Sequence, residues 1–103
     1  MIRKQEITTF EFPDNAVIWD VRDAKAFAEG HLKGAVNQPI NDLDQNSLTQ
    51  VASDQTIYIL CGGGSKAPRA AELLDGIDES RDYVVLMGGT RAARDAGLPI
   101  EQA

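Results

Sequence analysis

Apolar positions along the chain fall into two kinds of pattern. Thr56-Ile57-Tyr58-Ile59-Leu60 and Tyr83-Val84-Val85-Leu86-Met87 are short unbroken runs rich in β-branched and aromatic residues, as expected of strands buried on both faces. Ala16-Val17-Ile18-Trp19, ending at Asp20-Val21-Arg22, is a third such run. Between them the spacing lengthens to three and four residues. Ala67, Ala70, Ala71 and Leu74 form the stripe of a helix that Gly76 would cap. Ala24, Phe27 and Ala28 form a shorter one, with Asp23 placed to cap its start and Gly30 to close it. Ile40, Leu43, Leu48 and Val51 give a ragged helical stripe that leaves at Ser53-Asp54-Gln55. Ile7 to Phe12 alternates weakly and predicts a short edge strand stopped by Pro13-Asp14-Asn15, and Ala35 to Pro39 predicts a brief extended piece. Thr90 is placed to cap a last helix running to Ala96, which Gly97-Leu98-Pro99 stops.

Strand and helix alternate throughout, which predicts an α/β fold with a mostly parallel sheet and helices on both faces. At 103 residues, without repeats, low-complexity tracts or a linker-like stretch, the chain reads as one domain over residues 1–103, its core at about residues 7–100. Ligands of open α/β sheets gather at the carboxyl ends of strands. The most central-looking strand ends at Cys61.

Composition narrows the function. A 43% hydrophobic and 25% charged content is ordinary for a globular chain. The net charge of −6 argues against nucleic acid and anionic membrane surfaces, both of which select basic patches. An anionic substrate would need local positive potential, for which the candidates near Cys61 are the loop amides, Lys66 and Arg69. One cysteine allows no intrachain disulfide, and the first residues contain no apolar segment of signal-peptide type. No stretch approaches membrane-spanning length. Together these predict a cytoplasmic protein.

Cys61 is followed at once by Gly62-Gly63-Gly64-Ser65-Lys66 and then by the predicted helix. A lone cysteine is often inert core. Three consecutive glycines, however, add no side-chain packing and cost backbone entropy, so they imply positive φ or an approach that a Cβ would obstruct. A thiol at the mouth of a loop of amides, with a helix N-terminus behind it and a lysine nearby, sits where a thiolate is favoured over a thiol.

Other chemistries fit less well. Gly62, Gly64 and Ala67 match a loose G-x-G-x-x-A nucleotide fingerprint, but Met87-Gly88 stands where an acidic residue would hold the ribose, and Lys66 is wrongly placed for a P-loop. Cys61 and His31 cannot by themselves make a zinc site. His31, at a turn between Gly30 and Lys33-Gly34, reads as a ring satisfying loop carbonyls more readily than as a base for Cys61. Trp19, Phe27 and Tyr58 read as core, and Arg22 with Asp20 as an ion pair fixing a loop. Glu72, Asp75, Asp78, Glu79 and Asp82 read as a solvated face.

The ordered motifs resemble the rhodanese family. Asp20-Val21-Arg22, Phe27, Gly30-His31-Leu32-Lys33-Gly34-Ala35 and Pro39 are similar to its D-V-R, aromatic, G-H-(I/L)-x-G-A and proline pattern. Cys61 to Ala67 looks like its active-site loop C-x-x-G-x-(R/K)-(A/S), and Leu86-Met87-Gly88-Gly89 with Gly97-Leu98-Pro99 like its closing segments. The resemblance implies a single rhodanese domain with a central parallel five-stranded sheet in the order 1-5-4-2-3. It also implies a thiosulfate sulfurtransferase: Cys61 attacks a small anionic sulfur donor, becomes a persulfide, and passes the sulfur to cyanide, a thiol or an acceptor protein. Gly62, Gly63, Gly64, Ser65 and Lys66 would cradle donor and persulfide. No metal and no cofactor is implied.

Three positions depart from the family pattern. Lys66 replaces the common loop arginine, giving a point charge where a bidentate fork would hold a sulfonate. Pro68 fits only if it lies in the first helical turn. Ala93 takes the place of a frequent tryptophan. The sister phosphatase and arsenate reductase loop, C-x5-R, is not matched, because Ala67 stands six residues after Cys61. A sulfur-carrier or redox-sensing module without turnover remains the alternative.

Overall fold

The unbroken apolar runs become the middle of the sheet. A computed structural model describes residues 1–102. Along the chain lie β1 (Ile2–Glu6), a 3₁₀ turn (Ile7–Thr9), β2 (Val17–Asp20), α1 (Ala24–Glu29), β3 (His31–Leu32) and β4 (Val36–Asn37). A second 3₁₀ turn (Ile40–Asp42) follows, then α2 (Gln45–Thr49), β5 (Ile57–Leu60), α3 (Lys66–Ile77), β6 (Tyr83–Met87), α4 (Gly89–Asp95) and β7 (Ile100–Glu101). Five strands pair in the order β1-β6-β5-β2-β4, all parallel. Counted in chain order within that sheet this is 1-5-4-2-3, the order the resemblance implies. Strands β3 and β7 form a separate antiparallel ribbon that ties the chain end back to α1's exit.

Side chains of the central strands alternate between two apolar layers, as the pleat requires. Trp19, Ile57, Ile59, Tyr83 and Val85 face the layer built with Leu48 and with Ala67, Ala70, Ala71 and Leu74 of α3. Ile18, Leu60, Val84 and Leu86 face the layer built with Ile7, Phe10, Leu32 and Ala93 of α4. Each fully buried side chain of this size contributes roughly 1.5–3 kcal/mol. Helices therefore cover both faces, which is why these strands read as continuous apolar runs. Trp19 is core, while Tyr58 is half-buried against Phe10 and Phe27 half-buried against His31.

Four expectations are corrected. The first strand is Ile2–Glu6, ahead of the edge strand expected at 7–12, where the chain forms a 3₁₀ turn over Ile7–Thr9. Its polar residues suit an exposed edge, and main-chain pairing with β6 holds it, together with the terminal amine donating to the Arg81 carbonyl at 2.6 Å. Gly76 lies inside α3, because the helix continues to Ile77 and Asp78 closes it with its N–H on the Leu74 carbonyl. Thr90 is the second residue of α4, and the cap position is Gly88. The stripe from Ile40 to Val51 splits after Pro39 into a 3₁₀ turn and α2, where Asp44 and Ser47 form a reciprocal capping box.

The carboxyl end of α2 is closed from a distance. Arg81, itself buried, donates to the carbonyls of Leu48, Val51 and Ala52 and to the Asp78 carboxylate. The Ser80 hydroxyl and amide hold that carboxyl below the usual range. Beside it, the Tyr83 hydroxyl reaches the carbonyls of Leu74 and Asp78, and burial, reinforced by the Asp78 charge, pushes the phenol up to about 12. A folded-state value above the unfolded one stabilises the native state fully below about pH 10 and is lost as pH rises toward 12, a change on the order of 2–3 kcal/mol. Thermal melts between pH 9 and 12 (roughly the span of this titration) are therefore expected to show an alkaline loss of stability that Tyr83→Phe removes, although the variant starts less stable.

Candidate functional site

The central strand β5, flanked by β2 and β6, delivers Cys61 to the carboxyl edge of the sheet. Cys61 is 4% exposed, more enclosed than the partly open thiol expected. One side packs in the apolar layer with Val85 and Ala67. The other borders a cavity of about 370 Å³ lined by Arg22, Asp23, Ala26, Cys61, Gly62, Gly64, Ser65 and Lys66. The thiol donates a long hydrogen bond to the Gly64 carbonyl at 3.6 Å, so the loop curls around the sulfur.

The first turn of α4 sets the path of this loop. The Thr90 N–H donates to the Cys61 carbonyl at 2.8 Å, its hydroxyl donates to the same oxygen at 3.2 Å, and the Arg91 N–H donates to the Gly62 carbonyl at 3.2 Å. Such contact needs glycine at the turn. Gly89, at φ +59°, would drive a Cβ into the Cys61 carbonyl and to 2.7 Å from the Gly63 nitrogen. Gly88, at φ +92°, would place one 2.7 Å from the Ala92 Cβ.

With these carbonyls tied to α4, the N–H groups of Gly62, Gly63, Gly64 and Ser65 have no acceptor among the described residues. Ser65 precedes the first turn of α3, whose N-terminus adds positive potential. Pro68 is the third residue of α3, where its missing N–H is harmless. Such a run of free donors beside a cavity can hold an anion without a metal.

Lys66 lines the cavity, is exposed, and has no ion pair among the described residues. Arg69 does not line it. His31 stacks on Phe27 with ring centroids 3.7 Å apart, its Nδ1 2.8 Å from the Phe27 carbonyl, and is not part of the cavity wall. No group of three His, Cys, Asp or Glu side chains able to hold a metal comes together among the described residues.

The Asp20–Arg22 ion pair is present at 2.7 Å, as expected. Its position was missed: Arg22 forms part of the cavity wall, with Asp23 and Ala26 at the start of α1 beside it. Arg22 follows β2, next to β5 in the sheet, and the rule that neighbouring strand ends share a site could have found it. Thr90 and Gly89 support the loop from another element, a role that local spacing does not reveal, since the sequence marks Thr90 as a helix cap and Gly88-Gly89 as part of a closing segment.

The sequence profile of the rhodanese-like domain matches residues 9–96. The chain belongs to the rhodanese-like domain family. Among curated proteins it is similar to the uncharacterized protein YqhL of Bacillus subtilis, 34% identical over 59 residues, which is 57% of this chain and 46% of YqhL. It is also similar to Protein HIGH ARSENIC CONTENT 1, mitochondrial, of Arabidopsis thaliana, 33% identical over 91 residues, covering 77% of this chain and 53% of that protein. The chain thus spans about half the length of these relatives. Among solved structures, the rhodanese-like domain of Alr3790 from Anabaena superposes with a TM-score of 0.76 at 30% identity, over 85% of this chain and 66% of the other. The family is of sulfurtransferase type, and the matched span contains Cys61 and its glycine loop.

Substituting single loop glycines tests the role of α4. Gly89→Ala in this rhodanese-like domain is expected to cost about 2–4 kcal/mol through clash and positive φ. Gly64→Ala, whose Cβ would meet nothing within 4 Å, should cost under about 1 kcal/mol. Denaturant unfolding of both variants measures the difference.

Proposed function

We propose that this domain is a cytoplasmic sulfurtransferase that moves a sulfane sulfur from thiosulfate, or a related small anionic donor, to a thiophilic acceptor through a persulfide on Cys61. The observation that carries the reading is the conjunction at one loop: a single cysteine on the floor of a cavity, next to a run of main-chain donors with no acceptor. In the first half-reaction the Cys61 thiolate attacks the outer sulfur of the donor. A new S–S bond forms, the S–S bond of thiosulfate breaks, and its electron pair leaves with sulfite. In the second, cyanide or a thiol attacks the outer sulfur of the persulfide, and the Cys61 thiolate departs with the electrons of that bond. Ping-pong kinetics follow from the covalent intermediate.

The amides of Gly62 to Ser65 stabilise the anionic outer sulfur, and Lys66 adds a mobile positive charge at the rim. Partners are the anionic donor and a small thiol or cyanide, with an acceptor protein as the alternative destination. A second reading, a sulfur-carrier or redox-sensing module without turnover, is favoured by the small exposure of Cys61. Phosphatase and arsenate reductase chemistry is disfavoured because the sixth position after Cys61 is Ala67, buried in the apolar layer.

Incubation with thiosulfate is expected to add one sulfur to the mass of the protein, to lose it on addition of cyanide, and to leave Cys61→Ser unchanged. Sulfur uptake without steady-state turnover would favour the carrier reading, and hydrolysis of p-nitrophenyl phosphate would replace both. In steady state, Lys66→Ala is expected to raise KM for thiosulfate about tenfold while changing kcat less than about threefold, because its charge acts on the donor's sulfonate in ground and transition states alike.

A further inference from the structure

Arg22 is clamped on one edge only. Its Nε lies 3.0 Å from Asp20 Oδ1, and its Nη2 lies 2.7 Å from Asp20 Oδ2 and 2.7 Å from the Gly30 carbonyl. Asp20 is fully buried, and its Oδ1 also accepts the Arg22 main-chain N–H at 3.1 Å. The backbone on either side is fixed by Asn37, whose amide donates to the carbonyls of both Asp20 and Arg22. The guanidinium plane is therefore set before any ligand arrives.

Nη1 has no acceptor among the described residues. It is not buried either, since no buried side-chain nitrogen or oxygen among the described residues lacks a partner. Arg22 lines the Cys61 cavity, and its Cδ lies 3.7 Å from where a Cβ on Gly62 would stand. The fixed guanidinium of this cavity-lining residue thus keeps two N–H donors without an acceptor and open to solvent.

We propose that Arg22 recognises the oxyanion end of the sulfur donor, supplying from the end of β2 the planar guanidinium that the loop lacks at Lys66. The ligand class is a tetrahedral sulfur oxyanion, with its terminal sulfur toward Cys61 and an oxygen on Nη1. The inference rests on the sulfur-transfer reading for its substrate, but the anion site can be tested without it. Because Asp20 balances the charge of Arg22, recognition here depends on hydrogen-bond geometry, while Lys66 provides the uncompensated charge.

The test separates anion recognition from loop integrity. Arg22→Lys keeps a cation for the buried Asp20 and removes Nη1. The double variant Asp20→Asn, Arg22→Gln removes the guanidinium without stranding a carboxylate. In both, Cys61 sulfuration by thiosulfate should slow by about tenfold or more, while alkylation by uncharged iodoacetamide stays within about twofold. Inorganic sulfate should protect Cys61 from iodoacetamide in the wild type and protect the variants at least about tenfold less well. Equal loss of sulfuration and alkylation would reduce Arg22 to a loop support, and unchanged sulfuration would place the anion elsewhere; each overturns the proposal. If the wild type takes no sulfur from thiosulfate, the sulfur-transfer reading fails alone, and sulfate protection still decides the role of Arg22. Should the variants not fold, sulfate titrated into the wild type must shift the Arg22 side-chain N–H resonances. Stationary signals, or a wild type that sulfate does not protect, overturn the assignment.

Discussion

The site depends on one backbone-to-backbone approach, the Cys61 carbonyl received by the first turn of α4. The N–H and the hydroxyl of Thr90 both donate to that oxygen, and the next N–H in the helix takes the Gly62 carbonyl. The approach is possible only because Gly89 has no Cβ and adopts positive φ. Its consequence lies on the opposite side of the same peptides. With their carbonyls tied to α4, the loop cannot continue the β5 ladder or begin α3 early, and its N–H groups keep no internal partner. Unpaired buried main-chain donors would destabilise a fold. Here Gly62, Gly64 and Ser65 line a cavity, where water or an anion can satisfy their donors.

Around this loop the sheet supplies rigidity. β5 is paired on both sides, and Leu60, immediately before Cys61, is fully buried and accepts the Val21 N–H. Beside the loop Asp20 is buried and forked onto Arg22, so removing one member of the pair would leave a stranded charge and cost about 3–5 kcal/mol. The cavity is therefore bordered by a fixed guanidinium and a fixed turn of backbone, with the exposed Lys66 held by no ion pair among the described residues. A negatively charged protein can hold a small anion in such a place because the donors act at contact distance, whereas the net charge acts diffusely and is screened.

Most of the fold was legible in the sequence because the central strands are apolar on both faces and the helices carry clear stripes. β1 was not, since an edge strand held by main-chain pairing needs no apolar pattern, and Arg3, Lys4 and Glu6 look like a loose terminus. The end of α3 was misplaced because glycine stops a helix only where a left-handed residue is needed, and Gly76 has no positive φ. In the site, Cys61 and its glycines were legible through local spacing alone. Arg22, Thr90 and Gly89 were not, because each acts on the loop from a different strand or helix and only the folded chain brings them there. The burial of Cys61 was also hidden, since spacing does not show that Cys61 joins the same apolar layer as Ala67 and Val85.

The central claim is that the free N–H groups of Gly62 to Ser65 receive the negative charge of the sulfur-loaded cysteine. Amide proton chemical shifts of ¹⁵N-labelled protein, recorded before and after sulfuration and again after cyanide, test it most directly. Downfield shifts are expected at Gly62, Gly63, Gly64 and Ser65, reversed by cyanide, with the Thr90 and Arg91 amides unmoved. Loop amides that stay in place while a persulfide forms on Cys61 would contradict it.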